Sequence, residues 1–212
     1  MAIAAVGQIC STASMKANLD QCVRLVSKAA IGGAKVLFLP EASDYIAHNA
    51  QESLALAQPQ STSPFVQGLC AAAKSHSVAI HPAVALAQPG PGSPWCRRPA
   101  QVLTYPSAFT LRTGRAHWEA LLRGRAIETQ SWVVAAAQVG RHNDKRASYG
   151  RSLVVDPWGE VRLRLGGTRN DEGEAEDGAV EEIGFVDMDM ALWETVRREM
   201  PLKRREHAYP EL

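Results

Sequence analysis

The order of apolar and polar positions along the chain reads as alternating strands and helices. Ile3 to Ile9 is a short apolar run of the kind that forms a largely buried strand. From Ser14 to Ala30 the apolar residues Leu19, Val23 and Val26 recur at helical spacing, which predicts an amphipathic helix. Gly32-Gly33 suits its end, because glycine tolerates a left-handed cap. Ala34 to Leu39 is a second apolar run, closed by Pro40. A strand, a helix and a strand in under forty residues point to an α/β protein with at least partly parallel pairing.

The pattern continues downstream. Pro64 to Ser75 predicts a helix with Phe65, Leu69 and Ala72 on one face, and Ser77 to His81 a third strand. Gln101 to Tyr105 reads as a strand ended by Pro106. His117 to Gln130 reads as a helix with Leu121, Leu122 and Ile127 as its stripe, and Trp132 to Gln138 as a buried strand. Ser152 to Asp156, the turn Pro157-Trp158-Gly159-Glu160 and Val161 to Leu165 predict a hairpin. Met188, Met190 and Trp193 read as core. Two stretches break the pattern within what otherwise reads as a single domain over residues 1–212. The acidic residues between Gly166 and Glu182 predict a solvated, mobile hairpin loop, with an acidic docking loop as the alternative. The second stretch, residues 81–99, holds Pro82, Pro89, Pro91, Pro94 and Pro99, so no helix can run through Pro89 to Pro94. Parallel strands need a crossover of about a dozen residues or more, usually helical. At this junction a crossover is missing.

Composition narrows the class. The chain has 212 residues, is 46% hydrophobic and carries a net charge of +1, so neither a nucleic-acid nor a membrane-surface partner is implied. Cys10, Cys22, Cys70 and Cys96 form no C-x-x-C pair, and no His/Cys cluster has metal-ligand spacing, so no metal and no cofactor are expected. Scattered thiols suit a reducing compartment, and the expectation is a cytoplasmic protein.

Glu41 is the first candidate for chemistry. It directly follows a buried strand, and ligand sites in α/β sheets gather at the carboxyl ends of strands. A partly desolvated carboxylate there can serve as a general base; a glutamate beside a helix N-terminus is the other reading. Tyr105 and Ser107 end a strand and turn. Glu119 either caps the helix beginning near His117 or faces a pocket. His117, His142 and His207 lack metal-like spacing, and Asn143 reads as a turn residue.

Phe38-Leu39-Pro40-Glu41 resembles the glutamate motif of the nitrilase superfamily of carbon–nitrogen hydrolases. Gln101 to Phe109 resembles that family's strand and substrate-side loop after the nucleophile, and His117-Trp118-Glu119 with Arg125 to Glu128 its next helix. Gly140-Arg141-His142-Asn143, Ser148-Tyr149-Gly150 and Asp156-Pro157-Trp158-Gly159 resemble its later strands and turns. Asp44 to Ala47 and Gly140 to Arg146 are similar to the branch of deaminated glutathione amidases, which release a keto acid and a dipeptide.

The resemblance implies an α-β-β-α sandwich, here truncated in the middle, a small amide as substrate, and a possible homodimer. It implies a Glu-Lys-Cys mechanism, in which glutamate deprotonates a thiol that attacks the amide carbon while lysine and backbone N–H groups hold the oxyanion. Glu41 matches the glutamate. The lysine and nucleophile motifs belong between Ile80 and Val102, where the proline-rich stretch stands instead. Tyr105 and Ser107 would line the pocket by resemblance. Cys96, flanked by Arg97 and Arg98, is the one thiol in the interval; positive charge lowers a thiol pKa, while an exposed loop thiol is the plainer reading. The expected function is amide hydrolysis, impaired or lost. The alternatives are a non-catalytic nitrilase-like binding protein or a truncated product.

Overall fold

A computed structural model gives the fold for residues 3–83 and 100–202. The first sheet is built from β1 (Ile3–Gln8), β2 (Val36–Glu41), β3 (Ala79–Ala83) and β10 (Glu182–Asp187), in the order β10-β1-β2-β3. β1, β2 and β3 run parallel and β10 antiparallel to β1. The crossovers are α1 (Met15–Ile31), then α2 (Ala50–Leu56) and α3 (Pro64–His76). Ser14 and Ser63 cap α1 and α3, each hydroxyl accepting from a first-turn N–H. The second sheet, β4-β5-β8-β9, is formed by β4 (Val102–Thr104), β5 (Trp132–Ala135), β8 (Leu153–Val155) and β9 (Val161–Arg164), with α4 (Leu111–Thr129) joining the parallel pair β4 and β5. A ribbon of β6 (Val139–Arg141) and β7 (Ala147–Tyr149) and a last helix, α5 (Met190–Glu199), complete the described elements.

The period of two along each strand sorts side chains into layers. Ala5 of β1 with Leu37 and Leu39 of β2 face α1 and α3 and pack with Cys22, Leu25, Phe65 and Leu69. Their alternates, Ala4, Val6 and Phe38, meet Trp132, Val134 and Val154 across the sheets. Val133, Ala135, Leu153 and Val155 turn to the outer side against Trp118, Leu122 and Ala126 of α4. Helix, sheet, sheet, helix is therefore the layering, and the α-β-β-α expectation holds for the described residues.

Several expectations shift. Pro40 does not close its strand; β2 continues to Glu41, and the register against β3 slips between Phe38 and Glu41, a place where a missing N–H costs little. α4 starts two turns before His117, at Thr110, whose hydroxyl accepts from Thr113 N. Its buried stripe is Gly114, Trp118, Leu122 and Ala126, leaving Leu121 and Ile127 about half exposed. The acidic stretch is not a free loop. Arg169 pairs with Glu174, Arg151 with Glu176 at 2.6 Å, and Arg24 with Glu181 at 2.5 Å. Glu176 and Glu182 also accept from the N–H groups of Gly167 and Gly166. Most of its carboxylates are thus matched by partners of the same chain. Of the proline-rich junction, His81 to Ala83 belong to edge strand β3; residues 84–99, with Cys96 and the expected irregular run over Pro89 to Pro94, lie outside the described residues.

Candidate active site

Glu41 is the last residue of β2, and its exposed side chain lines a cleft of ≈ 990 Å³ with Asp44, Tyr45, Pro106, Ala108 and Arg146. Among the described residues its carboxylate has no hydrogen-bond or ion-pair partner. The backbone carrying it is held firmly. Ala42 takes a left-handed φ of 53°, an uncommon conformation for alanine that needs support from its surroundings. Ser43 Oγ donates to Pro40 O at 2.6 Å. Fully buried Gln138, just beyond β5, donates through Nε2 to Glu41 O at 2.9 Å, Ala42 O at 3.2 Å and Ser11 Oγ at 2.8 Å. Its Oε1 accepts from Ser11 N at 2.9 Å. One amide thus ties the ends of β1 and β2 to the second sheet. The sequence contained Gln138 only as the end of a buried run; a polar residue closing an apolar strand was the available signal.

The opposite wall is the chain after β4. It extends the second sheet, with Tyr105 N donating to Val134 O at 2.9 Å and Ser107 N to Ala136 O at 3.0 Å. Alternation then decides orientation. Pro106 and Ala108 face the Glu41 cleft, whereas Tyr105 packs with the α4 cluster and Ser107 Oγ bonds Tyr105 O at 3.2 Å. Neither Tyr105 nor Ser107 is among the cleft-lining residues. Glu119 lies elsewhere: it pairs with Arg164 at 2.5 Å and lines a separate hollow of ≈ 590 Å³ beside α4.

No cysteine or lysine among the described residues lines the Glu41 cleft. Burial pushes the Cys10 thiol up to about 11 and the Cys22 thiol up to about 12, and Cys70 is exposed on α3. Cys10 Sγ lies 3.7 Å from His142 Nδ1, which invites comparison with a thiol–imidazole pair. The hydrogen bonds exclude that role. His142 Nδ1 is 2.8 Å from Ser11 O, which can only accept, so Nδ1 carries the proton. Nε2 then accepts from Ser148 Oγ at 2.7 Å, and the thiol donates to Arg141 O at 3.4 Å. Burial, with the Arg146 charge nearby, holds His142 down to about 4 despite the Ser11 carbonyl. Lys35 is exposed before β2, and Lys74 lies on α3. No cluster of three His, Cys, Asp or Glu among the described residues is placed to hold a metal, and no helix there is long and apolar enough to cross a membrane.

The carbon–nitrogen hydrolase family model matches residues 3–90 and 96–198. A probable hydrolase, nit2, of Schizosaccharomyces pombe is 33% identical over 283 residues, covering 99% of each chain. Human deaminated glutathione amidase is 35% identical over 238 residues, 76% of this chain and 72% of the human one. The crystal structure of the Caenorhabditis elegans NitFhit protein superposes with a TM-score of 0.77 at 27% identity, covering 99% of this chain and 67% of that one. The alignment with the yeast hydrolase is longer than the 212 residues available here, so that relative carries residues with no counterpart in this chain. The family match is interrupted between residues 90 and 96, inside the proline-rich junction. On both sides of that interruption the layers and the matched positions agree: the chain belongs to the carbon–nitrogen hydrolase family of the nitrilase superfamily, close to the deaminated glutathione amidases.

Proposed function

We propose that this protein is a carbon–nitrogen hydrolase relative that binds a small amide beside Glu41 but hydrolyses it poorly or not at all. One observation carries the reading: among the described residues the Glu41 cleft holds a carboxylate base and neither a thiol nor an ammonium. Glu41 can polarise a water, but without a placed nucleophile it has no covalent route. Base, nucleophile and oxyanion donors act as a unit, and losing one member costs on the order of 10⁴ to 10⁶ in turnover. Cys96, with Arg97 and Arg98 beside it, is the remaining nucleophile candidate. Deaminated glutathione is the first ligand to try, because relatives carry that substrate in their names.

The test is release of ammonia or amine from primary amides and deaminated glutathione by the wild type, Glu41→Gln and Cys96→Ser. The expected result is release at the uncatalysed rate in all three, with amide binding retained by the wild type in calorimetry. Robust turnover in the wild type, abolished by both substitutions, would establish Cys96 as nucleophile and end the reading.

A further inference from the structure

Nearly every arginine among the described residues is used by the protein itself. Arg24, Arg115, Arg125, Arg151, Arg162, Arg164, Arg169 and Arg198 pair with carboxylates. Arg123, Arg141 and Arg197 donate to main-chain carbonyls. Only Arg112 and Arg146 lack a side-chain partner there. Both line one hollow of ≈ 440 Å³, together with Lys145, and Arg146 also lines the Glu41 cleft. Ala108 belongs to both walls as well, so the two hollows are neighbours that share a wall.

Arg146 is also presented on a fixed turn. Asn143 Oδ1 accepts from Lys145 N at 2.9 Å and Arg146 N at 3.0 Å, and His142 N donates to Arg146 O at 2.9 Å. Asn143 Nδ2 reaches Ala47 O, at 3.4 Å, on the Glu41 wall. A guanidinium without a side-chain partner among the described residues, on a hydrogen-bonded turn between two neighbouring hollows, is set to receive an external anion. Its planar fork matches a carboxylate. Asp144, Asp171 and Glu172 stand on the same walls. They keep the hollow from becoming a strongly positive well, which favours a monoanionic carboxylate over a phosphate.

Resting on the amide-cleft reading above, we infer that Arg146, assisted by Arg112, is a specificity-determining residue that anchors a carboxylate of the ligand while the ligand's amide lies beside Glu41. The ligand class is then an amide bearing a carboxylate further along its chain. Calorimetric titration with ω-carbamoyl carboxylates of increasing chain length, against neutral alkyl amides of matching length, tests this. A charge-assisted pair predicts a preference of about 10- to 100-fold for the carboxylated ligand. Arg146→Met and Arg146→Gln should erase that preference, read in each variant as the ratio of its affinities for the carboxylated and the neutral amide. Arg146→Lys should keep part of it, and Arg162→Met all of it; thermal melts establish that each variant folds. Equal binding of both ligand types by the wild type, or a preference surviving in either neutral Arg146 variant, overturns the inference and leaves the amide reading standing. Binding of neither type ends both.

Discussion

Replacing Gln138 by leucine should separate the fold from the geometry of its site. Leucine fills nearly the same volume, so the change is in hydrogen bonding. Ser11 N–H, in a fully buried residue, loses its acceptor and becomes an orphan donor, at a cost of about 1–3 kcal/mol. The carbonyls of Glu41 and Ala42 also lose their donor, but they lie beside the open cleft, where water can replace it, adding roughly 1 kcal/mol together. The sum is about 2–4 kcal/mol. For a chain of this length it lowers the melting temperature by about 5–15 °C, at roughly 2–4 °C per kcal/mol. Calorimetric and urea unfolding of wild type and Gln138→Leu measure it. The left-handed Ala42 also loses a restraint, so amide binding should weaken more than in a surface variant of similar stability. A loss below about 1 kcal/mol with amide binding intact would show that the clamp is not what holds Glu41 in place.

Stability should fall with acidification through His142, which is held neutral near 4 in the folded chain against about 6.5 unfolded. The unfolded state takes up the extra proton between these values, so the contribution is present above about pH 6.5 and is lost toward pH 4, with about 2 kcal/mol gone between pH 7 and 5; His142→Gln should remove that part of the slope in urea titrations, and an unchanged slope would assign it elsewhere. The two glycines inside α4 should respond oppositely to alanine. At Gly114 an added Cβ would lie 2.3 Å from Tyr149 Cγ, so Gly114→Ala should cost about 1–3 kcal/mol despite alanine's helix preference; at Gly124 nothing lies within 4 Å, so Gly124→Ala should stabilise by about 0.5–1 kcal/mol, and matching shifts in thermal melts would refute the packing.

What could be read from the residues follows from how far each signal depends on tertiary partners. β1, β2, β5 and β8 are apolar runs covered on both faces, and α1 and α3 carry period-3.6 stripes, so both were legible. The opening turns of α4 were not, because Arg112, Thr113 and Arg115 are polar and the buried contact there is Gly114, which has no side chain to mark a stripe. α2 buries none of its residues, so no periodicity announced it. β6, β7 and β10 are short or half-exposed and exist through pairing with distant residues. Glu41's place at the end of a buried strand was legible, and the structure sets it at the end of β2 beside a cleft. Tyr105 and Ser107 do not line the cleft, because facing depends on the register against β5, which no local pattern fixes. Arg146 was visible only as part of a family-like run, since its lack of a side-chain partner among the described residues is a property of the folded chain.

On the proposed reading, the same topology would let the fold outlast its chemistry. Elements before the junction build the cluster between the first sheet and its helices, and elements after it build the cluster between α4 and the second sheet. The cluster between the sheets draws on both, with Ala4, Val6 and Phe38 meeting Trp132, Val134 and Val154. β10 returns to pair with β1 over six residues, joining late and early chain in one sheet. The junction therefore separates two packed halves that still close on one another. Catalysis is distributed differently. On the proposed reading its members would stand singly at the ends of different strands, so a block missing between β3 and β4 would remove whole functional groups and leave the layers. A family match across nearly the entire chain then speaks for the layers, and activity depends on the few residues at the strand ends.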